Sequence, residues 1–148
     1  MNAEEYVQAA IRTEHTPNFI RLHGESDATN LIMSRCMHAL LGMMTELGEL
    51  ADQFKKRIVY GRALDMVNVV EELSDGDWYR ALFADAIKVG FEQAWQINIA
   101  KLRKRFPDKF TQAQALTRDL DAERSVLEAG TADIDATMPG KPSVMPGR

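Results

Sequence analysis

The sequence predicts an all-α protein, a helical bundle of about four to five helices. Apolar residues recur at spacings of three and four over long stretches, a period typical of amphipathic helices. No alternating run of Val, Ile and Thr with a hairpin turn occurs, so strands are not predicted. A length of 148 residues suffices for one domain with its own core. We therefore expect a single helical domain over residues 1–129, with its core at about residues 27–110.

The first two helices are indicated by caps and by apolar periodicity. A short helix is predicted over residues 3–12, and a polar loop around Gly24 then leads to a cap at Ser26 or Asp27. The second helix is predicted over about residues 29–56. Its apolar residues form one stripe that is expected to face the core, namely Leu40, Met43, Leu47, Leu50 and Phe54.

The third helix follows after a short break in the apolar pattern. Asp65 is expected to cap it, and it is predicted to run to Val89, with Gly90 as its C-terminal stop. Because about eight residues join the second and third helices, we expect these two helices to pack antiparallel.

The C-terminal part of the chain contains two further predicted helices. One covers residues 91–105 and ends before Pro107, and the other covers about residues 117–129. Residues 130–148 are rich in Pro and Gly and lack helical periodicity, so we expect them to form a flexible tail.

Composition excludes several classes of protein. The net charge is −4, which does not favour nucleic acid as a partner. No apolar run approaches the ~20 residues that a membrane-spanning helix needs. Cys36 is the only cysteine, which is typical of a reducing compartment, and the N-terminus does not resemble a signal peptide. We expect a cytoplasmic protein that does not contact a membrane.

Two pairs of acids carry the functional hypothesis. Glu46 and Glu49 are three residues apart on one predicted helix, and Glu72 and Asp75 are three apart on the next. Residues at this spacing project from one helix face, so antiparallel packing would gather four carboxylates. Four such groups repel one another, and a divalent cation that prefers oxygen ligands, such as Mg²⁺, removes the repulsion. His38 lies two turns before Glu46 and is expected to be structural.

Polar and aromatic residues nearby suit a ligand with phosphates at one end and a base at the other. Asn98, Lys101 and Arg105 share a narrow arc of one helix and could bind a phosphate chain. Tyr79 lies one turn after Asp75 and could stack on a nucleobase. Lys56, on the arc of the first acid pair, is a further candidate for the phosphates.

The combined pattern resembles a known superfamily. E46-x-x-E49, a gap of 22 residues and E72-x-x-D75 are similar to the signature of the all-α nucleoside triphosphate pyrophosphohydrolases, the MazG-like superfamily. Three segments look like its successive helices over about residues 38–110, and the following "TRDLDAERSVLE" looks like an extension on stand-alone, phage-type members. These three segments are "ALLGMMTELGELADQFKK", "VVEELSDGDWYRAL" and "NIAKLRKRFPDKF".

The resemblance implies an enzyme and assigns roles to its residues. The reaction would be Mg²⁺-dependent hydrolysis of a (deoxy)nucleoside triphosphate to the monophosphate and pyrophosphate, with Mn²⁺ as a substitute cation. The protein would be a homodimer or homotetramer that controls a nucleotide pool. The implied metal ligands are Glu46, Glu49, Glu72 and Asp75, with Glu46 or Glu49 acting on the attacking water. The implied substrate contacts are Asn98, Lys101 and Tyr79.

Other interpretations of the same residues stay open. The acids could form a solvated acidic face, in which case the bundle would be a catalytically silent interaction protein. Alternatively, the substrate could be phosphoribosyl-ATP, which enzymes of the same superfamily hydrolyse. The chain also departs from the family pattern at Asp77 and Arg80, where apolar residues are usual. We expect these two side chains to pair on the helix surface and do not count Asp77 as a metal ligand.

Overall fold

The computed structural model describes residues 1–15 and 18–135 of the chain. This part of the chain contains helices and no strand, so the predicted all-α class is confirmed. None of its helices is long and apolar enough to span a bilayer. The helices are α1 (Ala3–Ile11), α2 (Asp27–Tyr60), α3 (Met66–Ala86), α4 (Phe91–Arg105), α5 (Gln112–Leu116) and α6 (Leu120–Asp135).

The predicted N-terminal caps of the two long helices are confirmed. The Ser26 hydroxyl accepts a hydrogen bond from the Thr29 amide in the first turn of α2. The Asp65 carboxylate accepts from the amides of Val67 and Asn68 in the first turn of α3. Each cap satisfies amides that have no partner inside the helix, which fixes where α2 and α3 begin.

Two predicted helix ends are wrong. α3 ends at Ala86 and not at Val89, and Lys88 takes the left-handed conformation (φ 56°) that was expected of a glycine. Gly90 has extended backbone and caps the start of α4. α6 runs through Gly130 to Asp135, because Gly130 lies against Ile97 of α4, where the space suits a residue without a side chain. The rest of the predicted tail, residues 136–148, lies outside the described residues.

The described part of the chain also contains one helix that the sequence did not predict. α5 spans a single turn and a half, and the Thr111 hydroxyl caps it by accepting a hydrogen bond from the Gln114 amide. Five residues are too few for apolar periodicity to become visible. The capping residue Thr111 was the only sequence feature that could have indicated this helix.

Contacts between residues divide the chain into two compact units. The single domain expected over residues 1–129 stays a prediction. Unit 1 covers Met1–Ile87 and contains α1, α2 and α3; unit 2 covers Lys88–Arg148 and contains α4, α5 and α6. Within unit 2, α4 packs against α6. Within unit 1, α3 packs against both α1 and α2.

The pairing of α2 with α3 is antiparallel, as predicted. Near the start of α2, Arg35 forms an ion pair with Asp85 near the end of α3. Two turns further along α2, Gly42 faces Tyr79, which lies earlier in α3. α1 is attached to the other side of α3, where the Trp78 indole N–H donates to the Thr13 hydroxyl at 2.8 Å.

The predicted apolar stripe of α2 does not form the core of unit 1. Leu47 is 66% exposed, and Leu40 and Phe54 are each 43% exposed. The residues of α2 that are buried toward α3 are instead small ones, Ala39 and Gly42. The contact line lies beside the stripe, because small residues let two helix backbones approach more closely than leucines do. Three of the five residues of the stripe, Leu40, Leu47 and Phe54, therefore remain exposed, and Met43 and Leu50 are half-buried.

A buried ionic network ties three segments of unit 1 together. The Arg35 guanidinium donates three hydrogen bonds to the Glu14 carboxylate and forms an ion pair with Asp85 at 2.7 Å. The three side chains are between 5% and 17% exposed. The hydrogen bonds to Glu14 raise the pKa of Arg35, so the group stays charged in this buried position.

Candidate metal centre

Three of the four predicted acids meet at the contact between α2 and α3. Glu46 extends from α2, and Glu72 and Asp75 extend from α3. One carboxylate oxygen from each lies within 4.8 Å of the others. Glu72 and Asp75 project from one face of α3 because they are three residues apart, and the antiparallel pairing sets Glu46 opposite them. We call these three residues the acid cluster.

Asn68 orients the most buried member of the cluster. Glu72 is 6% exposed, and its carboxylate accepts a hydrogen bond of 2.7 Å from the Asn68 amide nitrogen. Asn68 precedes Glu72 by one helical turn on the same face of α3. Helical periodicity places Asn68 on one narrow arc with Glu72, Asp75 and Tyr79, but this spacing alone did not predict a role for it.

The acids perturb one another electrostatically. Burial is the largest cause that raises the pKa of Glu46 above its ordinary value. A hydrogen bond with Glu72 and the charges of Glu49 and Asp75 raise it further. A hydrogen bond between two carboxyl groups requires a proton on one of them. The Glu46 carboxyl therefore retains its proton more readily than an isolated glutamate does.

Glu49, the fourth predicted ligand, lies outside the acid cluster. Its side chain is exposed, although it is close enough for its charge to raise the pKa of Glu46. It follows Glu46 by less than one helical turn on the same side of α2. Its role as a ligand stays a prediction.

The donor set of the acid cluster fits a hard divalent cation. Among the described residues, the group consists of carboxylates alone, with no His or Cys ligand. Carboxylate oxygens are the ligands that Mg²⁺ prefers, and one or two protein carboxylates often suffice because water and substrate complete its coordination. The residues present thus suit Mg²⁺ or Mn²⁺ and do not suit a structural zinc site.

An aromatic group borders the acid cluster. The ring of half-buried Tyr79 lies directly over Gly42, so close that a Cβ added there would be 2.1 Å from the ring. His38 and Trp78 meet the ring edge to face, with centroids 5.7 and 4.9 Å away. Burial raises the pKa of Tyr79, and the charges of Glu46 and Asp75 raise it further. Nδ1 of His38 is buried and has no hydrogen-bond partner in the described part of the chain.

An apolar groove opens on another side of the same carboxylates. It has a volume of about 230 Å³, and Glu46 and Glu72 line it together with four large apolar side chains, Met43, Leu47, Leu50 and Leu73. Asp77 and Arg80 also line the groove and form an ion pair at 2.9 Å, which confirms the predicted surface pair. Two members of the acid cluster therefore belong to the groove as well.

Lys56, the candidate phosphate-binding residue on α2, forms an ion pair within the protein. The Lys56 ammonium lies 2.7 Å from the Asp52 carboxylate, which also pairs with Lys55. The hydrogen bonds from Lys55 and Lys56 lower the pKa of Asp52 to about 2. Lys56 is only partly exposed, so a substrate phosphate would have to replace Asp52 as its partner.

Unit 2 contains the other three candidate substrate residues. Asn98 is exposed on α4, and half-buried Lys101 forms no ion pair within the described residues. Arg105 donates two hydrogen bonds, from Nε and one terminal nitrogen, to the carboxylate of Glu123, which is 4% exposed. Arg118 binds the same carboxylate, and these hydrogen bonds lower the pKa of Glu123. Arg105 thus joins α4 to α6.

Comparison with known proteins adds no family to these observations. No family model, curated protein or solved structure matches the chain at a significant level. The functional interpretation of this chain therefore rests on its residues and their geometry.

Proposed function

We propose that the chain is a Mg²⁺-dependent nucleoside triphosphate pyrophosphohydrolase, which converts a (deoxy)nucleoside triphosphate to the monophosphate and pyrophosphate. The observation that carries the proposal is the acid cluster. Its carboxylates come from two helices, share one side of an antiparallel contact and lie within 4.8 Å of one another. An isolated cluster of this kind is electrostatically unfavourable, and a bound divalent cation gives it a function.

The acid cluster would hold the cation, with Glu49 as an additional ligand from the next turn of α2. A bound Mg²⁺ would supply positive charge to the oxygens of the phosphate chain. Asn68 would keep the Glu72 carboxylate in one orientation through its hydrogen bond of 2.7 Å.

A carboxylate of α2 would activate the attacking water. Glu46 or Glu49 would orient the water and accept its proton. A pKa raised above the ordinary value, as for Glu46, brings a carboxylate closer to the pH at which a general base works well. Glu49 is exposed and so has ready access to water.

Substrate recognition would use groups outside the acid cluster. The ring of Tyr79 borders the acids and would be the aromatic group against which a base stacks. Within unit 1, Lys56 would bind phosphate oxygens by leaving Asp52. The roles of Asn98 and Lys101 of unit 2 in phosphate binding stay predictions. Arg105 pairs with the buried carboxylate of Glu123, which gives it a structural role in unit 2, and its role in phosphate binding stays a prediction.

We further propose that the enzyme is a homodimer or homotetramer. The support is three large apolar side chains of the α2 stripe that unit 1 leaves exposed, Leu40, Leu47 and Phe54. Side chains of this kind are usually covered in the functional form of a protein.

The proposal is tested by measuring pyrophosphate release from a panel of NTPs and dNTPs, in Mg²⁺ and in EDTA. We expect release from one or a few nucleotides in Mg²⁺ only. Glu72→Gln should reduce turnover about a hundredfold or more while leaving the helical circular dichroism unchanged. Glu71→Gln is the matched control, because Glu71 is the adjacent acid and is exposed outside the cluster. Equal activity of the two variants would contradict the assigned site.

A panel without any active nucleotide would contradict the substrate class. Phosphoribosyl-ATP is the next substrate to assay in that case, since its hydrolysis uses the same bond type. If the protein binds Mg²⁺ but hydrolyses neither nucleoside triphosphates nor phosphoribosyl-ATP, it would be the catalytically silent interaction protein.

A further inference from the structure

A small polar cavity lies within unit 2, where the end of α4 meets α5 and the start of α6. Its volume is about 90 Å³, and none of the described residues that line it is apolar. Five of its lining residues are charged, namely Lys104, Arg105, Arg118, Asp119 and Glu123. We call it the cationic cavity, and its lining suits a polar ligand.

Glu123 holds two guanidinium groups together in this cavity. Its carboxylate, which is 4% exposed, accepts two hydrogen bonds from Arg105 and two from Arg118. A carboxylate has about four lone-pair sites, so these hydrogen bonds saturate it. Each guanidinium has about five N–H donors, and within the described residues it uses only two of them. Both arginines therefore retain donors for a further acceptor while they stay bound to Glu123.

The guanidinium of Arg105 is fixed before any ligand binds. Glu123 holds it on one side, and its Cζ lies 5.7 Å from the centroid of the Phe106 ring. The Arg105 side chain is only 18% exposed. A planar guanidinium that is already fixed loses little conformational freedom on binding an oxyanion, which favours the bound state.

The charges around the cationic cavity do not cancel. Three cations and two carboxylates line it, so one positive charge is left over. Lys104 is exposed and forms no ion pair within the described residues. Asp119 uses one carboxylate oxygen to accept a hydrogen bond of 3.0 Å from the Ala122 amide. An anion in the cavity would thus be attracted by Lys104 and repelled by Asp119.

The volume of the cavity limits the size of this anion. A volume of about 90 Å³ corresponds to about three water molecules, and sites for drug-sized ligands start at roughly 300 Å³. One phosphate group fits this space, whereas a nucleobase does not. Phosphate oxygens also match the fork of N–H donors on a guanidinium.

We propose that the cationic cavity binds one phosphate group, either inorganic phosphate or the phosphoryl end of a larger molecule, with Arg105, Arg118 and Lys104 as its partners. The inference does not rest on the proposed function, because the acid cluster belongs to unit 1 and the cavity to unit 2. Arg105 is thereby grouped with Lys104 and Arg118, neither of which was a predicted site residue.

The test is calorimetric titration of the full chain with inorganic phosphate in EDTA, at an ionic strength held constant with chloride. We expect one phosphate site per chain. A folded wild-type chain that binds no phosphate up to about 10 mM would overturn the inference. A nucleoside monophosphate is the second probe. Its competition with phosphate would support a phosphoryl end as the ligand, and its exclusion from an occupied phosphate site would support free phosphate.

Two variants should change the phosphate affinity in opposite directions. Lys104→Gln removes the unpaired cation and should weaken binding about three- to tenfold. Lys109→Gln is the matched control, because Lys109 is an exposed lysine of the same unit outside the cavity, and it should leave the affinity unchanged. Asp119→Asn removes the repelling charge and retains a side-chain oxygen for the Ala122 amide, so binding should tighten about two- to fivefold.

The remaining outcomes also decide the question. Equal weakening in the two lysine variants would show that general surface charge binds the phosphate and would overturn the site. An Asp119→Asn variant with normal circular dichroism and no gain in affinity would do the same. Glu72→Gln should bind phosphate like the wild type even if it releases no pyrophosphate. Loss of phosphate binding in that variant would place the phosphate at the acid cluster and overturn the cavity.

Discussion

At the scale of single residues, Gly42 determines how an aromatic ring reaches the acid cluster. The Tyr79 ring occupies the space that a side chain at position 42 would need, with 2.1 Å between the ring and a Cβ added there. Glycine inside a helix destabilises it by about 0.5–1 kcal/mol relative to alanine. At position 42 the packing of the Tyr79 ring, which fills the space of the missing side chain, offsets this destabilisation.

Replacing Gly42 by alanine should destabilise the protein in spite of its higher helix propensity. We expect the free energy of unfolding to fall by about 1–2 kcal/mol, since the ring must move out of a packed position. Gly48→Ala on the same helix is the control, because a Cβ there meets nothing within 4 Å. That variant should gain about 0.5–1 kcal/mol. Urea denaturation of both variants measures the difference, and effects of the same sign would contradict the packing role of Tyr79.

The contrast between the acids and Tyr79 shows what a sequence can predict at this scale. The cluster of Glu46, Glu72 and Asp75 was predictable, since helix periodicity and antiparallel pairing fix which positions meet. The ring packed over Gly42 was not, because the depth of a helix contact depends on the volumes of side chains on both helices. The hydrogen bond from Asn68 to Glu72 was visible only as a spacing.

At the scale of elements, the apolar stripe of α2 explains why the predicted core was wrong. Periodicity identifies an apolar face but does not say whether the same chain or another copy covers it. Unit 1 buries a line of small residues next to the stripe, including Ala39 and Gly42. The caps at Ser26 and Asp65 were predictable, because they depend on neighbours within four residues.

The ionic network around Arg35 should contribute strongly to how the elements of unit 1 hold together. Glu14→Gln leaves the buried guanidinium with one carboxylate fewer, and we expect the free energy of unfolding to fall by about 2–3 kcal/mol. Asp77→Asn breaks the exposed pair with Arg80 and serves as the control, with an expected change within about 0.5 kcal/mol. Thermal or chemical denaturation gives both values. Similar losses in the two variants would contradict the difference between a buried and an exposed pair.

At the scale of the whole molecule, the acid cluster should make stability depend on pH and on Mg²⁺ together. The folded pKa of Glu46 is raised above its ordinary value of 4.5, so the folded state binds this proton more tightly than the unfolded state. The contribution of Glu46 to stability is therefore complete below about pH 4.5 and is lost as pH rises through the folded pKa. Bound Mg²⁺ would neutralise the Glu46 carboxylate in place of the proton, so it should remove this loss of stability.

The measurement compares the wild type with Glu46→Gln from about pH 4.5 to about pH 7.5 by chemical denaturation. In EDTA, the wild type should lose stability relative to the variant as pH rises, because the variant has no proton to release. In Mg²⁺ this relative loss should disappear, and the wild type should become the more stable protein. Parallel curves in both buffers would show that Glu46 is not coupled to its neighbours.

The division of the chain into two units was beyond what the sequence could indicate. Helix caps and periodicity are local, whereas the boundary after Ile87 depends on which helices contact each other over long separations. The left-handed residue Lys88 follows that boundary directly, and no glycine marks it. A length of 148 residues favoured one domain and did not reveal this division.

The chain contains two tryptophans, and each unit has one of them. Trp78 belongs to unit 1, where its indole donates a hydrogen bond to Thr13, and Trp95 belongs to unit 2, where its ring stacks on Phe91. Intrinsic fluorescence can thus be made specific for either half of the protein. With Trp95 replaced by Phe, the emission reports only on unit 1, including the attachment of α1 to α3. With Trp78 replaced, it reports only on unit 2. Denaturation curves of the two variants would reveal directly whether the units melt in one cooperative step or separately.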